Sequence, residues 1–284
     1  MTPVLSFLGP VGTYSDVASL ACAQQWQQEN GTHLDRCPYP SIPQVLKSVE
    51  EGEAHFAIVP VENSTEGSVT VTLDTLWQLD MLQIQQAWTL PISHALISRA
   101  ASVDEIHAIY SHPQALAQCQ EWLASNLPNA KLVPTRSTTE ALQYLDQPSI
   151  AAIASRHAAE IYQIPVVAHP INDQKDNRTR FWVLGMEQSR VGTHTSLALS
   201  LPANVPGALL KPLEIFASRG LNLSRIESRP TKRSLGEYIF FLDVEADLSN
   251  PLMSSALDEI RPHTETLKTF GSYSILHVEN LLDV

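Results

Sequence analysis

Basic residues are scarce in this chain: 18 Lys and Arg stand against 30 Asp and Glu, a formal charge of −12 over 284 residues. A partner held through its phosphate backbone needs a basic face, so nucleic acid is not expected. Cysteine is scarcer still. Cys22, Cys37 and Cys119 are odd in number and have no metal-like spacing, which points to reduced thiols in a cytoplasmic protein. The ten histidines include no HxxxH pair, so no metal site is expected. Long apolar runs are missing too. The N-terminus offers only the strand-length run Val4–Leu8 and no basic n-region, and no segment reaches the length of a membrane span. An acidic chain can still take an acidic small molecule if local amides and a few Arg or Lys do the work.

What the chain does have is a repeated design. The length suits two domains with a substantial core. In the first, a short apolar run repeatedly ends in a polar cap and a helix. Val4–Leu8 leads into Gly9-Pro10-Val11-Gly12-Thr13-Tyr14-Ser15-Asp16, where Thr13 and Asp16 have capping-box spacing. Phe56–Val59 leads into the polar stretch Glu62-Asn63-Ser64-Thr65-Glu66-Gly67, read as a loop ahead of a helix from Thr70. Ile106–Tyr110 leads into Ser111-His112-Pro113-Gln114, with Ser111 and Gln114 spaced as a capping box and Gln114 and Gln118 on one helical face. Lys131–Pro134 leads into Ser137 and Glu140, and Ile150–Ala154 into Ser155. For the Gln114/Gln118 face, a plain capped helix and a ligand-facing one fit the spacing equally; for Ser137 and Glu140, capping alone suffices. Five such units predict a mostly parallel α/β sheet system with its site at the strand ends. Asp173–Arg180 then forms a charged loop feeding the strand Phe181–Leu184, with a Thr179 hydroxyl between two arginines.

The element order changes after a polar linker. Strands at 195–201, 223–229, 238–244 and 267–276, with helices at 207–219 and 251–261, predict a βαββαβ ferredoxin-like unit. The division expected is 1–186 for the first region, 187–194 for the linker and 195–284 for the second.

These motifs, in this order, resemble the prephenate dehydratase family: Gly9-Pro10-x-Gly12-Thr13-Tyr14-Ser15, Val59-Pro60-x-Glu62-Asn63-Ser64-x-Glu66-Gly67, Ser111-His112-Pro113-Gln114-Ala115-x-x-Gln118-Cys119 and Thr179-Arg180-Phe181. Gly207-Ala208-Leu209-Leu210 and Glu227-Ser228-Arg229-Pro230 resemble the two ligand motifs of its ACT regulatory domain. Two departures are Arg178, where the family often has Lys, and Asp243-x-Glu245-Ala246-Asp247 in place of D-x-E-G-H.

The resemblance implies two α/β lobes around a cleft, similar to periplasmic binding proteins, and then an ACT domain. It implies loss of water and carbon dioxide from prephenate to give phenylpyruvate, with phenylalanine as feedback effector and a homo-oligomer, dimer or tetramer, built through the ACT domains. Thr179 is then the catalytic hydroxyl, with Glu62, Asn63, Ser64, Ser111 and Gln118 as catalytic partners. Thr13, Tyr14, Ser15, His112, Gln114, Ser137, Arg180 and Phe181 would bind substrate. Gly207 to Leu210, Asn222, Leu223 and Glu227 to Pro230 would bind the effector. Aromatisation drives the reaction, so no cofactor is expected. A threonine hydroxyl is a very weak acid, which makes hydrogen-bond donation to the leaving oxygen its expected role. Arogenate fits the same residues, and a solute receptor or a non-catalytic amino-acid sensor are the rival readings. No fused chorismate mutase is expected, because the chain starts at the first strand of the unit.

Overall fold

The computed structural model describes residues 2–278. The first lobe begins with β1 (Val4–Leu8), α1 (Tyr14–Asn30), β2 (Asp35–Tyr39) and α2 (Ile42–Glu50). It continues with β3 (Phe56–Asn63), β4 (Gly67–Ser68), α3 (Thr70–Gln78) and β5 (Gln83–Pro91). The chain then crosses to a second lobe of β6 (His94–Ser98), β7 (Ala108–Ser111), α4 (Pro113–Ala117), α5 (Gln120–Asn126), β8 (Lys131–Pro134), β9 (Ile150–Ser155), α6 (Arg156–Tyr162) and β10 (Val166–Ala168). It crosses back as β11 (Arg178–Gly185) into the middle of the first sheet.

The C-terminal unit is β12 (His194–Ser200), α7 (Leu210–Ser218), β13 (Leu223–Pro230), β14 (Tyr238–Val244), α8 (Pro251–Ile260) and β15 (Thr266–Tyr273). Its sheet order, β13-β14-β12-β15, is the ferredoxin-like arrangement expected from the element pattern. The last predicted strand, however, breaks at Ser274. Ile275–His277 leaves the small sheet as β16 and pairs in parallel with β5 of the first lobe. Residues 279–284 of the expected 195–284 unit lie outside the described residues.

The two lobe sheets are mixed rather than mostly parallel. β1 runs parallel to β2 and β3, and β7 to β8 and β9, as strand–helix–strand units require. β11, by contrast, lies antiparallel between β3 and β5, and β6 antiparallel between β9 and β10. Strands reached by a lobe-to-lobe crossing have no crossover helix to set their direction. α7 also starts later than Gly207, at Leu210, because Gly207 takes a left-handed φ of +82° that no helix continues.

β3 itself runs further than its apolar run. Pro60 to Asn63, expected in a loop, continue the strand, and only 64–66 form the turn to β4. The pairing with β11 jumps from Phe181↔Pro60 to Arg180↔Glu62, so Val61 is an extra residue, a bulge. That bulge explains how a proline sits in an internal strand. It also resets the alternation: Val59 and Val61 bury in the core on one face, yet Asn63 emerges on the other, opposite Thr179.

Candidate active site

Between the lobes lies a cleft of about 900 Å³. The first lobe lines it with the β1–α1 turn (Pro10, Thr13, Tyr14, Ser15), Asn63, Thr179 and Phe181. The second brings His94, His112, Gln114, Gln118 and the segment Arg136–Glu140. Ten expected site residues therefore converge here: Thr13, Tyr14, Ser15, Asn63, His112, Gln114, Gln118, Ser137, Thr179 and Phe181.

At its floor runs a chain of hydrogen-bonded side chains, most of them amides, that reaches Glu66. Asn63 Oδ1 accepts from the amides of Thr65 and Glu66, both at 3.0 Å, which assigns the other end as its NH₂. That NH₂ donates to Thr179 Oγ1 at 2.9 Å and to Asn177 Oδ1 at 2.8 Å. Asn177 Nδ2 then donates to Gln118 Oε1 at 3.0 Å, and Gln118 Nε2 reaches Glu66 Oε1 at 3.3 Å. Gln118 Oε1 also meets His94 Nε2 at 3.0 Å, so the neutral imidazole must carry its proton there. The Tyr14 hydroxyl donates to Ser93 O at 2.8 Å and lies 3.1 Å from His94 Nδ1, two acceptors for its one proton.

Burial sets the protonation of His94 and Tyr14. It holds the His94 pKa below the usual histidine value, opposed only by the Gln118 bond, and it pushes the Tyr14 phenol above the ordinary tyrosine range. Both are neutral near pH 7. Thr179, being an acceptor from Asn63, has no protein acceptor for its own proton among the described residues, and the hydroxyl lines the cleft. The site thus presents an oriented O–H donor, set by two backbone amides acting through Asn63.

Positive charge in the cleft is sparse. Arg136 is the single Arg or Lys among the described lining residues, and it forks onto Glu140 at 2.9 and 3.1 Å while largely exposed. The start of the 17-residue helix α1 supplies the other attraction for an anion, with Thr13 as its cap. The Asp16 carboxylate does not close a capping box on Thr13. It turns back to the Gly12 amide at 2.8 Å and is ion-paired with Arg36 at 2.6 Å. Burial alone would raise its pKa, but bonds from His157, Gly12 and Arg36 together hold it below the usual aspartate value.

Four expected site residues do not line the cleft. Ser111 is fully buried and donates to Ile153 O at 2.5 Å; the cap of α4 is instead the His112 imidazole, accepting from Gln114 N. Ser64 accepts from the Arg178 amide at 2.9 Å and braces the turn from behind. Glu62 and Arg180 project from the opposite face of β3 and β11, where Arg180 meets Asp243 of the small unit at 3.2 Å and Glu62 at 3.7 Å. Strand alternation is the reason: Thr179 and Arg180 are neighbours, so only one can face the cleft. Cys119, which matches a motif position, is packed in the core with its thiol pushed up to about 12 by burial and by Asp173. Ser137 accepts from Glu140 N at 3.0 Å, but the segment that follows is a 3₁₀ turn whose N-cap position is Thr139.

Sequence reasoning missed His94 and Asn177. His94 has no motif around it; Asn177 stands two residues before Thr179, and its partners come from three separate segments.

In the small unit, Gly207 to Leu209 form the turn before α7, and Leu210 is half-exposed. Asn222 O accepts from the Glu245 amide at 2.9 Å, and Leu223 begins β13. Along β13, Ser228 and Pro230 face solvent while Glu227 and Arg229 turn toward the first lobe. Glu227 accepts from Ser68 at 3.0 Å, and Arg229 forks onto Asp74 at 3.0 and 3.1 Å. These two side chains are therefore engaged between units rather than open to an effector. Among the described residues, no cluster of His, Cys, Asp and Glu is placed to hold a metal ion, and no helix is long and apolar enough to cross a membrane.

Comparison with known proteins adds to this geometry. The family described as prephenate dehydratase matches residues 5–189, and the ACT domain family matches 195–262. A protein of Lactococcus lactis subsp. lactis (strain IL1403) named prephenate dehydratase is 37% identical over 282 residues, covering 95% of this chain and 97% of the relative. The crystal structure of prephenate dehydratase in complex with L-Phe from Arthrobacter aurescens superposes with a TM-score of 0.84 at 36% identity, covering 95% of this chain and 90% of that one. GqqA, described as a novel type of quorum quenching acylase, superposes with a TM-score of 0.81 at 26% identity, covering 96% and 98%.

Proposed function

This chain belongs to the prephenate dehydratase family, and from that premise we propose how its cleft works. The enzyme converts prephenate to phenylpyruvate with loss of water and carbon dioxide, in phenylalanine biosynthesis. The ring carboxylate leaves as carbon dioxide, its bonding electrons move into the ring, and the ring C–O bond breaks as aromaticity is gained. The departing oxygen takes the C–O electron pair as hydroxide, needs a hydrogen bond at that moment, and becomes water by taking a proton from solvent. Thr179 is the donor, held by Asn63, and this 2.9 Å contact is the observation that carries the reading. A dianion fits between the α1 start and Arg136, with Phe181, Pro10 and Ile92 as apolar walls. Glu62, Ser64 and Ser111 shape the strands and turn that carry the site, and Arg180 binds no substrate carboxylate.

The functional division proposed is a catalytic region over 1–186 and an ACT regulatory region over 195–284. The effector is L-phenylalanine, held by the Gly207–Leu210 turn, Asn222, Leu223 and the solvent face of β13. β13 is the outer strand of its sheet, with Ile226 half-exposed, which supports a homo-oligomer formed by a second copy covering that edge. A cytoplasmic location accords with the three free thiols.

Turnover of the purified chain on prephenate, followed as phenylpyruvate with and without phenylalanine, tests this reading. Phenylalanine-suppressed turnover is the expected result. No turnover on prephenate or on arogenate would overturn the assignment of the cleft, and the light-scattering mass of the chain tests the oligomer separately.

A further inference from the structure

The cleft reading leaves a buried group of charges unused, on the far side of the strands that carry Asn63 and Thr179. Asp243 of β14 is almost fully buried, and its Oδ1 accepts from Ser196 at 2.6 Å. Its Oδ2 faces two guanidinium groups. Arg180 reaches it with a hydrogen bond at 3.2 Å. Arg225 stands at 3.6 Å without hydrogen-bond geometry, and its Nε and Nη1 have no partner among the described residues although both are buried. A guanidinium left so poorly satisfied is costly, and the nearest remedy is the same oxygen of Asp243.

The two arginines belong to different machinery. Arg180 is the residue after Thr179, one peptide from the hydroxyl. Arg225 lies two residues before Glu227 on β13, and both touch Ser68, Arg225 at 3.4 Å and Glu227 at 3.0 Å. Ser68 closes the β3–β4 turn whose amides orient Asn63.

We propose that Asp243 is a positioning residue for Thr179, acting through Arg180, and that Arg225 competes with Arg180 for the same carboxylate. A small displacement of β13 toward β14 draws Asp243 to Arg225 and loosens Arg180. The peptide bearing the Thr179 hydroxyl shifts with it. This regulation rests on the proposed prephenate chemistry and on control from the ACT unit.

The test is steady-state turnover of the full chain on prephenate, with and without phenylalanine, for wild type, Asp243→Asn and Arg225→Met. Since displacements of ~1 Å cost up to ~100-fold in rate, Asp243→Asn should lower kcat at least about tenfold with KM within about twofold. Asp243→Glu should recover most of that loss. Arg225→Met should keep kcat and need about tenfold more phenylalanine for half-inhibition, while equilibrium dialysis still shows phenylalanine bound. Should Asp243→Asn fail to fold, Arg180→Lys takes its place with the same split of kcat from KM expected. Wild-type kcat in Asp243→Asn, or in Arg180→Lys where that takes its place, would overturn the positioning role alone. Unchanged inhibition in Arg225→Met, or a wild type indifferent to phenylalanine, would overturn the competition. A wild type inert on prephenate would overturn the cleft reading, and this proposal with it.

Discussion

The first lobe meets its two neighbours in opposite ways. Toward the small unit it shares an apolar core: Val59, Leu73, Trp182 and Leu184 pack in one cluster with Ala198, Ile239, Phe241 and Phe270. Toward the second lobe it makes polar contacts: Tyr14 to His94, Glu66 to Gln118, Gly12 O to Ser155, and Asp16 to His157. The second lobe keeps its own cores, drawn wholly from residues 95–171. Apolar burial at ~25 cal/mol per Å² makes a lasting joint, whereas hydrogen bonds exchange with water at little net cost. The lobe–lobe seam is the looser joint of the two, and the seam to the small unit is the firmer one.

Five measurements probe this contrast. Thr179→Val removes the donor on the first lobe and leaves both seams intact; turnover should fall about 10²–10³-fold while prephenate still binds by calorimetry. Asp16→Asn breaks a seam contact and a buried ion pair, and should cost about 3 kcal/mol in urea unfolding at pH 7. Because the folded pKa of Asp16 lies below its unfolded value near 3.9, its stabilisation is present above that value and is lost as pH falls through the lowered one. The variant's stability should therefore change less than wild type on acidification from pH 5 to pH 2. Gly12→Ala places a Cβ 2.9 Å from Thr139 Cγ2 of the second lobe, at a φ of +91°. A loss of about 1–3 kcal/mol in thermal unfolding is expected.

Gln118→Met keeps the bulk of the second lobe's reach into the amide chain and deletes its bonds. Its kcat/KM should drop about tenfold, and because Asn177 Nδ2 and His94 Nε2 lose their buried acceptor, the unfolding free energy should fall by about 1–3 kcal/mol. Arg229→Met removes a partly exposed ion pair from the apolar seam. The unfolding free energy should change by under ~1 kcal/mol, because packing and not charge holds that joint.

Much of this was legible from residue order alone. Strand–cap–helix repeats located an α/β region, whose division into two lobes came only with the family resemblance; the changed element order located the ferredoxin-like unit, and motif residues such as Asn63, Gln118 and Thr179 do meet in the cleft. Other features depend on pairing that no local pattern encodes. The Val61 bulge decides which face Asn63 takes, and it exists only against β11, more than a hundred residues away. Asn177 and His94 gain their roles from long-range partners. The placement of Arg180 is different: alternation beside Thr179 was already enough to turn it from the cleft, and the attraction of a cation for a dianion obscured that rule.

β16 carries a last consequence. The small unit leaves the first sheet at β11 and its chain returns to the same sheet as β16, so it is an insertion with both ends anchored. Cutting at residue 190 would strip Ile239, Phe241 and Phe270 of their cover. During synthesis, β5 must wait for Ile275–His277 before its outer edge is paired, a contact of very long sequence separation that slows folding. The sheet of the first lobe is thus complete only once the small unit has been made.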